Sequence, residues 1–385
     1  MRQRPTWLLA ALLAAACETP APAPSPRADA GLDSAASVDA SADQGPQDGP
    51  PTDAPRACMA RDDDYRLPRT GAWMPCVSDR GAYARFSTST STIARVEAFE
   101  RMHRDPVGGR PLGFFDPARD PSFEEFTFAR TIYLEPEGLD SRVSRRSDEH
   151  YPAPTVNDCR MDAVRMANPD YCVGPARLLP VLTEAFRAGQ TGAGAAPSRV
   201  HAARIEAALL WFFYVSPYKE SQTCATTQAD CDSAWAYYTG GAPPDAPTQL
   251  GLARYVAALE PGTHARIFDG LLALRCWRDL DPAPTATDVA LRERARAQLD
   301  RALTRGVVAV TVARLRALAT ATGPEALAHQ AFAATLGPLL ERAVLTSPGG
   351  PALRDGLRAL AGTSILTPSE ARALADALDR AIPCP

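Results

Sequence analysis

From Thr287 to the C-terminus, Ala, Leu and Arg recur at helical spacing, and strand-like alternation is scarce throughout the chain. Thr287 is placed to cap a helix, and Asp288 complements its dipole in the first turn. A long Ala/Arg/Leu helix is expected to run to about Thr320. Pro324–Leu345 and Leu353–Leu360 follow. Thr367-Pro368-Ser369-Glu370 is a capping box with Pro at the first helical position, opening a last helix to Ile382. Such a chain buries its apolar stripes only by packing helix on helix, so the expected fold class is all-α, a multi-helix bundle.

The same spacing extends upstream. Thr92–His103 carries Ile93, Val96, Phe99 and Met102 on one stripe. Further helices are expected at Phe123–Leu134, Val156–Met166 and Pro175–Ala188. The next is Ser198–Val215, capped by Ser198 and ended by Pro217, and Leu250–Leu259 and His264–Leu280 follow it. Leu139–Tyr151 is polar and reads as a loop. Ala94–Phe99 echoes Ala203–Ala208. A duplicated bundle and chance similarity in an Ala/Arg-rich chain both account for that echo, and a sub-division of the helical domain would fall near residue 285.

The N-terminus is of another kind. Residues 1–16 hold Arg2, Arg4 and the apolar run Trp7–Ala16, too short to span a membrane, and read as an export signal. Ala14-Ala15-Ala16-Cys17 resembles a lipoprotein cleavage box, which makes Cys17 the expected lipidated residue and a membrane lipid anchor the expected attachment. Residues 17–57 are Pro, Ala, Asp and Ser with almost no bulky apolar side chain, the composition of a disordered tether reaching about 35 Å as a random coil. A periplasm- or surface-facing lipoprotein with a helical domain over 58–385 is the expected organisation. The chain has 41 basic and 45 acidic residues and no basic stripe, so nucleic acid is not an expected partner.

Eight cysteines follow Cys17: Cys58, Cys76, Cys159, Cys172, Cys224, Cys231, Cys276 and Cys384. An even number in an exported chain implies disulfides, and the number alone allows on the order of a hundred pairings. Pairing by sequence proximity suggests Cys58–Cys76, Cys159–Cys172 and Cys224–Cys231, leaving Cys276–Cys384. No C-x-x-C favours a thiolate metal site.

The window Trp211–Gly241 stands apart from the bland helical background. It holds two Trp, two Phe, four Tyr, two Cys and Lys219, the one lysine of the chain. One reading is a dense, disulfide-clipped piece of core whose Tyr and Trp polar atoms need partners. The other is a site. No G-x-S-x-G or H-E-x-x-H occurs, so catalysis is not expected. Metal binding is the better chemical idea, because carboxylates and imidazoles from several bundle helices are a usual way to hold iron. His201 and Glu206 lie about 140° apart on one helix, positioned to line two sides of a groove. His264 and Asp269 repeat that spacing, and Glu220, Asp230 and Asp232 lie nearby in sequence.

Within this window Cys231-Asp232-Ser233-Ala234-Trp235-Ala236-Tyr237-Tyr238-Thr239-Gly240 resembles the acidic-x-A-W-A-x-Y-x-G signature of iron-assimilation (FEA-type) periplasmic proteins, neighbours of the imelysin-like group. Ala129-Arg130-Thr131-Ile132-Tyr133 is similar to another short piece of the pattern. The resemblance covers about 30 residues and implies a helical extracytoplasmic protein that binds iron in uptake. The imelysin G-x-H-x-x-E motif is absent: Arg199-Val200 precede His201, and the acid comes five residues later at Glu206. The expected cation ligands are therefore His201, Glu206, Glu220 and Asp232, with Trp235 and Tyr237 as binding residues. The alternative is a non-enzymatic envelope or adhesion module that uses the aromatic loop 211–241 as its contact.

Overall fold

A computed structural model describes residues 58, 60–66, 90–103, 113–280 and 287–384. The export signal, Cys17, the tether and Cys76 lie outside the described residues. All described secondary structure is helical, and no described helix is long and apolar enough to cross a membrane.

The helices are α1 (Thr90–His103), α2 (Phe123–Tyr133), α3 (Leu139–Val143), α4 (Asp162–Ala167), α5 (Leu179–Thr191), α6 (Ser198–Thr223), α7 (Gln228–Thr239), α8 (Leu252–Leu259), α9 (Pro261–Leu280), α10 (Val289–Leu318), α11 (Gly323–Leu345), α12 (Gly350–Ala359) and α13 (Pro368–Ala381). A 3-10 turn at Gly113–Phe115 precedes α2, and a π-helical turn at Gly174–Leu178 leads into α5.

Helices α6, α7, α9, α10 and α11 form a ring in which each packs on the next, and α6 also meets α10 across it. The sequence explains who sits inside. Every residue of α6 from Ile205 to Pro217 is buried, as is every residue of α10 from Ala302 to Val312, because apolar side chains lie all around these stretches and the buried charges among them, Glu206 and Arg305, are met by ion-pair partners. Helices α12 and α13 are amphipathic covers. Leu353 and Leu357 of α12 point inward, as do Ala371, Ala375 and Leu378 of α13, at the i, i+4, i+7 spacing of a single face. One hydrophobic core runs through residues on both sides of position 285, and all described residues belong to one compact unit, Asp53–Pro385.

Several expectations change. Pro217 does not end α6, which continues to Thr223. The ring removes the bond its nitrogen would have donated to Phe213, but the segment is buried against neighbours on several sides, and packing outweighs the roughly 3 kcal/mol cost of an interior proline. Ser198 is not a cap: its hydroxyl donates to Pro121 O at 2.9 Å. Asp288, not Thr287, caps α10, accepting from Leu291 N at 2.9 Å. The stretch read as a loop at Leu139–Tyr151 opens with α3, and the helix expected at Val156–Met166 shrinks to α4. The capping box at Thr367 and Glu370 forms as read.

The disulfides Cys159–Cys172 and Cys224–Cys231 form as expected from proximity. Cys58–Cys76 and Cys276–Cys384 do not: Cys58 pairs with Cys384, at a sequence separation of 326. That bond pins the first described residue to the C-terminal tail, a pairing that only the three-dimensional course of the chain brings within reach. Cys276 is disulfide-bonded too.

Candidate functional site

The four expected cation ligands do not gather at one point. Glu206 is buried and accepts from Arg314 at 2.6 and 2.7 Å and from the Tyr255 hydroxyl at 2.6 Å. Tyr255 spends its only proton there, so His103 Nε2, 3.0 Å from the hydroxyl, must be its donor. Burial holds the His103 pKa well below the ordinary value, so the ring is neutral, with Nδ1 bare and unpartnered. Glu220 pairs with Arg146 at 2.9 Å. Asp232 pairs with Arg275 at 2.5 Å, tying α7 to α9. His201 is buried with neither ring nitrogen hydrogen-bonded. Each of the three carboxylates already has a guanidinium, so a cation would have to break an ion pair to reach it. His264 and Asp269 stay apart as well, with Tyr238 and Arg266 as their partners. Among the described residues, the one cluster with metal-ligand spacing is Cys58, Glu260 and Cys384, whose two sulfurs are joined in a disulfide and offer no thiolates.

Trp235 and Tyr237 are buried, at 4% and 2% exposure, so neither side chain presents a contact surface. The aromatic window is core. Its α6 and α7 halves pack face to face, clipped by Cys224–Cys231, and Gly240 closes α7 at φ 63°, a conformation that suits glycine.

What the window does build is a wall for arginines. Arg146 reaches in from the loop after α3, with its guanidinium carbon 5.2 Å from the Phe212 ring centroid and 5.0 Å from that of Tyr237. The two rings meet edge to face with centroids 5.6 Å apart, so together they make an aromatic corner that suits a flat cation. Arg95 of α1 and Arg142 of α3 approach the same place: Arg95 and Arg146 both engage Tyr237, and Arg95 feels the charges of Arg142 and Arg146.

The loop is held firmly. Gly174 N donates to Arg146 O at 2.8 Å, and Asp148 N donates to Tyr171 O at 2.7 Å. A Cβ at Gly174 would lie 2.0 Å from Val143 O, so only glycine permits this approach. Cys159–Cys172 braces the other side of the contact.

Arg146 and Arg95 are almost wholly buried, at 4% and 1% exposure, yet they are poorly partnered. Arg95 Nη1 donates a long 3.4 Å bond to Ser91, while its Nε and Nη2 have no partner. The Nε atoms of Arg142 and Arg146 are likewise buried and unpartnered. Burial lowers the Arg95 pKa, the neighbouring arginines push it the same way, and Tyr237 opposes them. Burial also acts against the charge of Arg146, but Tyr237 and Glu220 outweigh it and its pKa is raised. Unpaired charge in a protein interior costs several kcal/mol per ion, so this cluster has a standing electrostatic demand for negative charge.

Sequence reasoning missed these arginines. Arg95 carried a signal: it lies three residues after Thr92 and four before Phe99, on the face of α1 that turns inward. Arg142 and Arg146 carried none, lying in a polar stretch that reads as solvent-facing. No family profile, curated protein or solved structure matches this chain.

Proposed function

We propose that the protein is an extracytoplasmic binding module whose helical domain takes a small anionic ligand at the Arg95–Arg142–Arg146 site. The observation that carries the reading is the buried Arg95, a guanidinium held by a long hydrogen bond to Ser91 and by Tyr237, with no carboxylate partner among the described residues. Three converging guanidiniums repel cations and attract anions. A guanidinium is a hydrogen-bond donor and not an acceptor, which suits binding an anion rather than proton transfer. The disulfides support an oxidising compartment. The signal at 1–16, the lipid anchor at Cys17 and the tether to residue 57 complete the proposal from the sequence: a domain held on a leash from a membrane.

Two experiments test this. Thermal unfolding of the purified domain at fixed ionic strength should shift upward with anions and stay put with ferric, ferrous or calcium ions. Stabilisation by iron alone would return the protein to a cation-binding reading through His201, Glu206, Glu220 and Asp232. For the anchor, Cys17→Ser should move the protein from the membrane fraction to the soluble fraction. Unchanged membrane association of that variant would rule the anchor out.

A further inference from the structure

We infer that the ligand of the arginine site is a small oxyanion carrying two negative charges, of the sulfate or phosphate kind, seated against Arg142 and Arg146 with Arg95 behind them. This rests on the anion-binding reading and adds the ligand's charge, shape and place to it.

The charge follows from the groups present. Arg95, Arg142 and Arg146 bring three positive charges, and Glu220, bonded to Arg146, returns one negative charge. Lys219 and Asp230, which lie alongside Glu220, carry opposite signs and cancel. Among these described groups the surplus is two positive charges, in a setting where Arg95 and Arg146 lie 1 and 4% exposed and Arg142 is half-buried. A monocarboxylate would leave half of that surplus uncompensated, and a doubly charged oxyanion would match it. In a protein interior a charge left over at close range is screened far less than in water, so it weighs against the smaller anion.

Shape points the same way. A guanidinium presents its donors as a planar fork, which pairs with two oxygens of one anion at a time. Arg142 and Arg146 supply two forks from one short segment, four residues apart, and a tetrahedral oxyanion has oxygens enough for both. The approach is graded by depth: Arg142 is partly exposed, Arg146 lies deeper, and Arg95 is the least exposed. An anion therefore meets Arg142 first. Phe212 and Tyr237 form an aromatic corner on one side of the Arg146 guanidinium, and the near-complete burial of Arg146 and Arg95 leaves little space around them, which favours a compact ligand. Glu220 acts as the internal stand-in, holding one donor of Arg146 at 2.9 Å.

The test is calorimetric titration of the purified, disulfide-intact chain with sulfate, phosphate, acetate and chloride at one ionic strength. Sulfate should bind at one equivalent, about tenfold or more tightly than acetate. Phosphate should match sulfate above its second ionisation and weaken below it, while sulfate stays constant over the same pH range. A phosphate affinity far above sulfate's at equal charge would assign the site to phosphate, and the reverse would assign it to sulfate. Arg142→Gln, at a partly exposed position, should keep the helical circular dichroism signal and lose about tenfold or more in sulfate affinity. Arg142→Lys keeps the charge and loses the fork, and it should also bind more weakly. Glu220→Gln should bind sulfate more tightly than the parent chain.

Acetate or chloride binding as tightly as sulfate would overturn the dianion and leave the anion-binding reading standing. Sulfate affinity unchanged in both Arg142 variants would overturn the placement. No binding of any anion to the parent chain would overturn this inference together with the reading it rests on.

Discussion

Arg305 and Arg95 are the same side chain at nearly the same depth, 5% and 1% exposed, and they lead opposite lives. Arg305, in the buried middle of α10, donates from Nε to Glu260 at 2.9 Å, from Nη1 to Ile382 O at 2.8 Å and from Nη2 to Asp379 at 2.7 Å, with a second contact to Glu260. Its partners come from the end of α8 and the end of α13, beside the Cys58–Cys384 disulfide, so it is a strut tying the C-terminal tail to the bundle. Burial works against its charge, but Glu260 and Asp379 outweigh burial and its pKa is raised. Arg95 has Ser91 and Tyr237 but no carboxylate, and burial leaves its pKa lowered. Burial alone does not tell structure from function in a charged residue. The supply of acceptors does, because a buried charge is stable only when something answers it.

Four measurements would break or sharpen that contrast. The largest effect is expected for Arg305→Ala, which strands Glu260 and Asp379. Urea unfolding should show a loss of about 3–5 kcal/mol, and a loss under 1 kcal/mol would mean the strut is ornamental.

Next comes acid. Burial lowers the pKa of both His264 and His329 to about 4. Below the ordinary histidine value, near 6.5, the unfolded chain takes up protons that the folded chain refuses. Stability should therefore fall as pH drops from about 6.5 toward 4, by about 3 kcal/mol for each ring. His150 should act in reverse. Asp148 at 2.5 Å and Asp300 at 2.9 Å outweigh its burial and raise its pKa. Its contribution is whole below the ordinary histidine value and fades as pH rises through the folded value. Unfolding free energies across this range for His329→Gln and His150→Gln should bend in opposite directions, and parallel curves would refute the assignment.

Third, Cys224→Ser with Cys231→Ser should cost about 2 kcal/mol by loop entropy and weaken sulfate binding, since the clip lies beside the helices that carry Glu220 and Tyr237. Stability lost with sulfate affinity intact would separate the clip from the site. The smallest effect is the most diagnostic. Arg95→Met should be neutral or stabilising by about 1 kcal/mol without an anion, because an apolar side chain replaces an unanswered charge. A loss like that of Arg305→Ala would show that Arg95 is a strut as well.

Much of the fold was legible because helices announce themselves locally. Thr367 and Glu370 form their capping box as read, and Val96, Phe99 and Met102 of the α1 stripe are buried, with Ile93 partly so. The two short disulfide loops were legible because nearby cysteines seldom escape each other. Pro217 misled, since a proline's local cost says nothing about how much packing surrounds it. Asp232 and Glu220 misled for a related reason: a sequence displays carboxylates but not the arginines that meet them, here 43 and 74 residues away. Arg146 was illegible outright, because its burial depends on the Gly174 contact and on rings from two other helices.

The sequence by itself determined the helical class, most helix positions, the oxidised character of the cysteines and the polar, Pro-rich composition of residues 17–57. These follow from propensity, periodicity and composition, which act over a few turns of chain. The tertiary structure decided which charges are answered and which are left waiting, and it joined Cys58 to Cys384 across nearly the whole domain. Both depend on which distant side chains arrive at one point, and electrostatic energy in a buried place is set by that arrival.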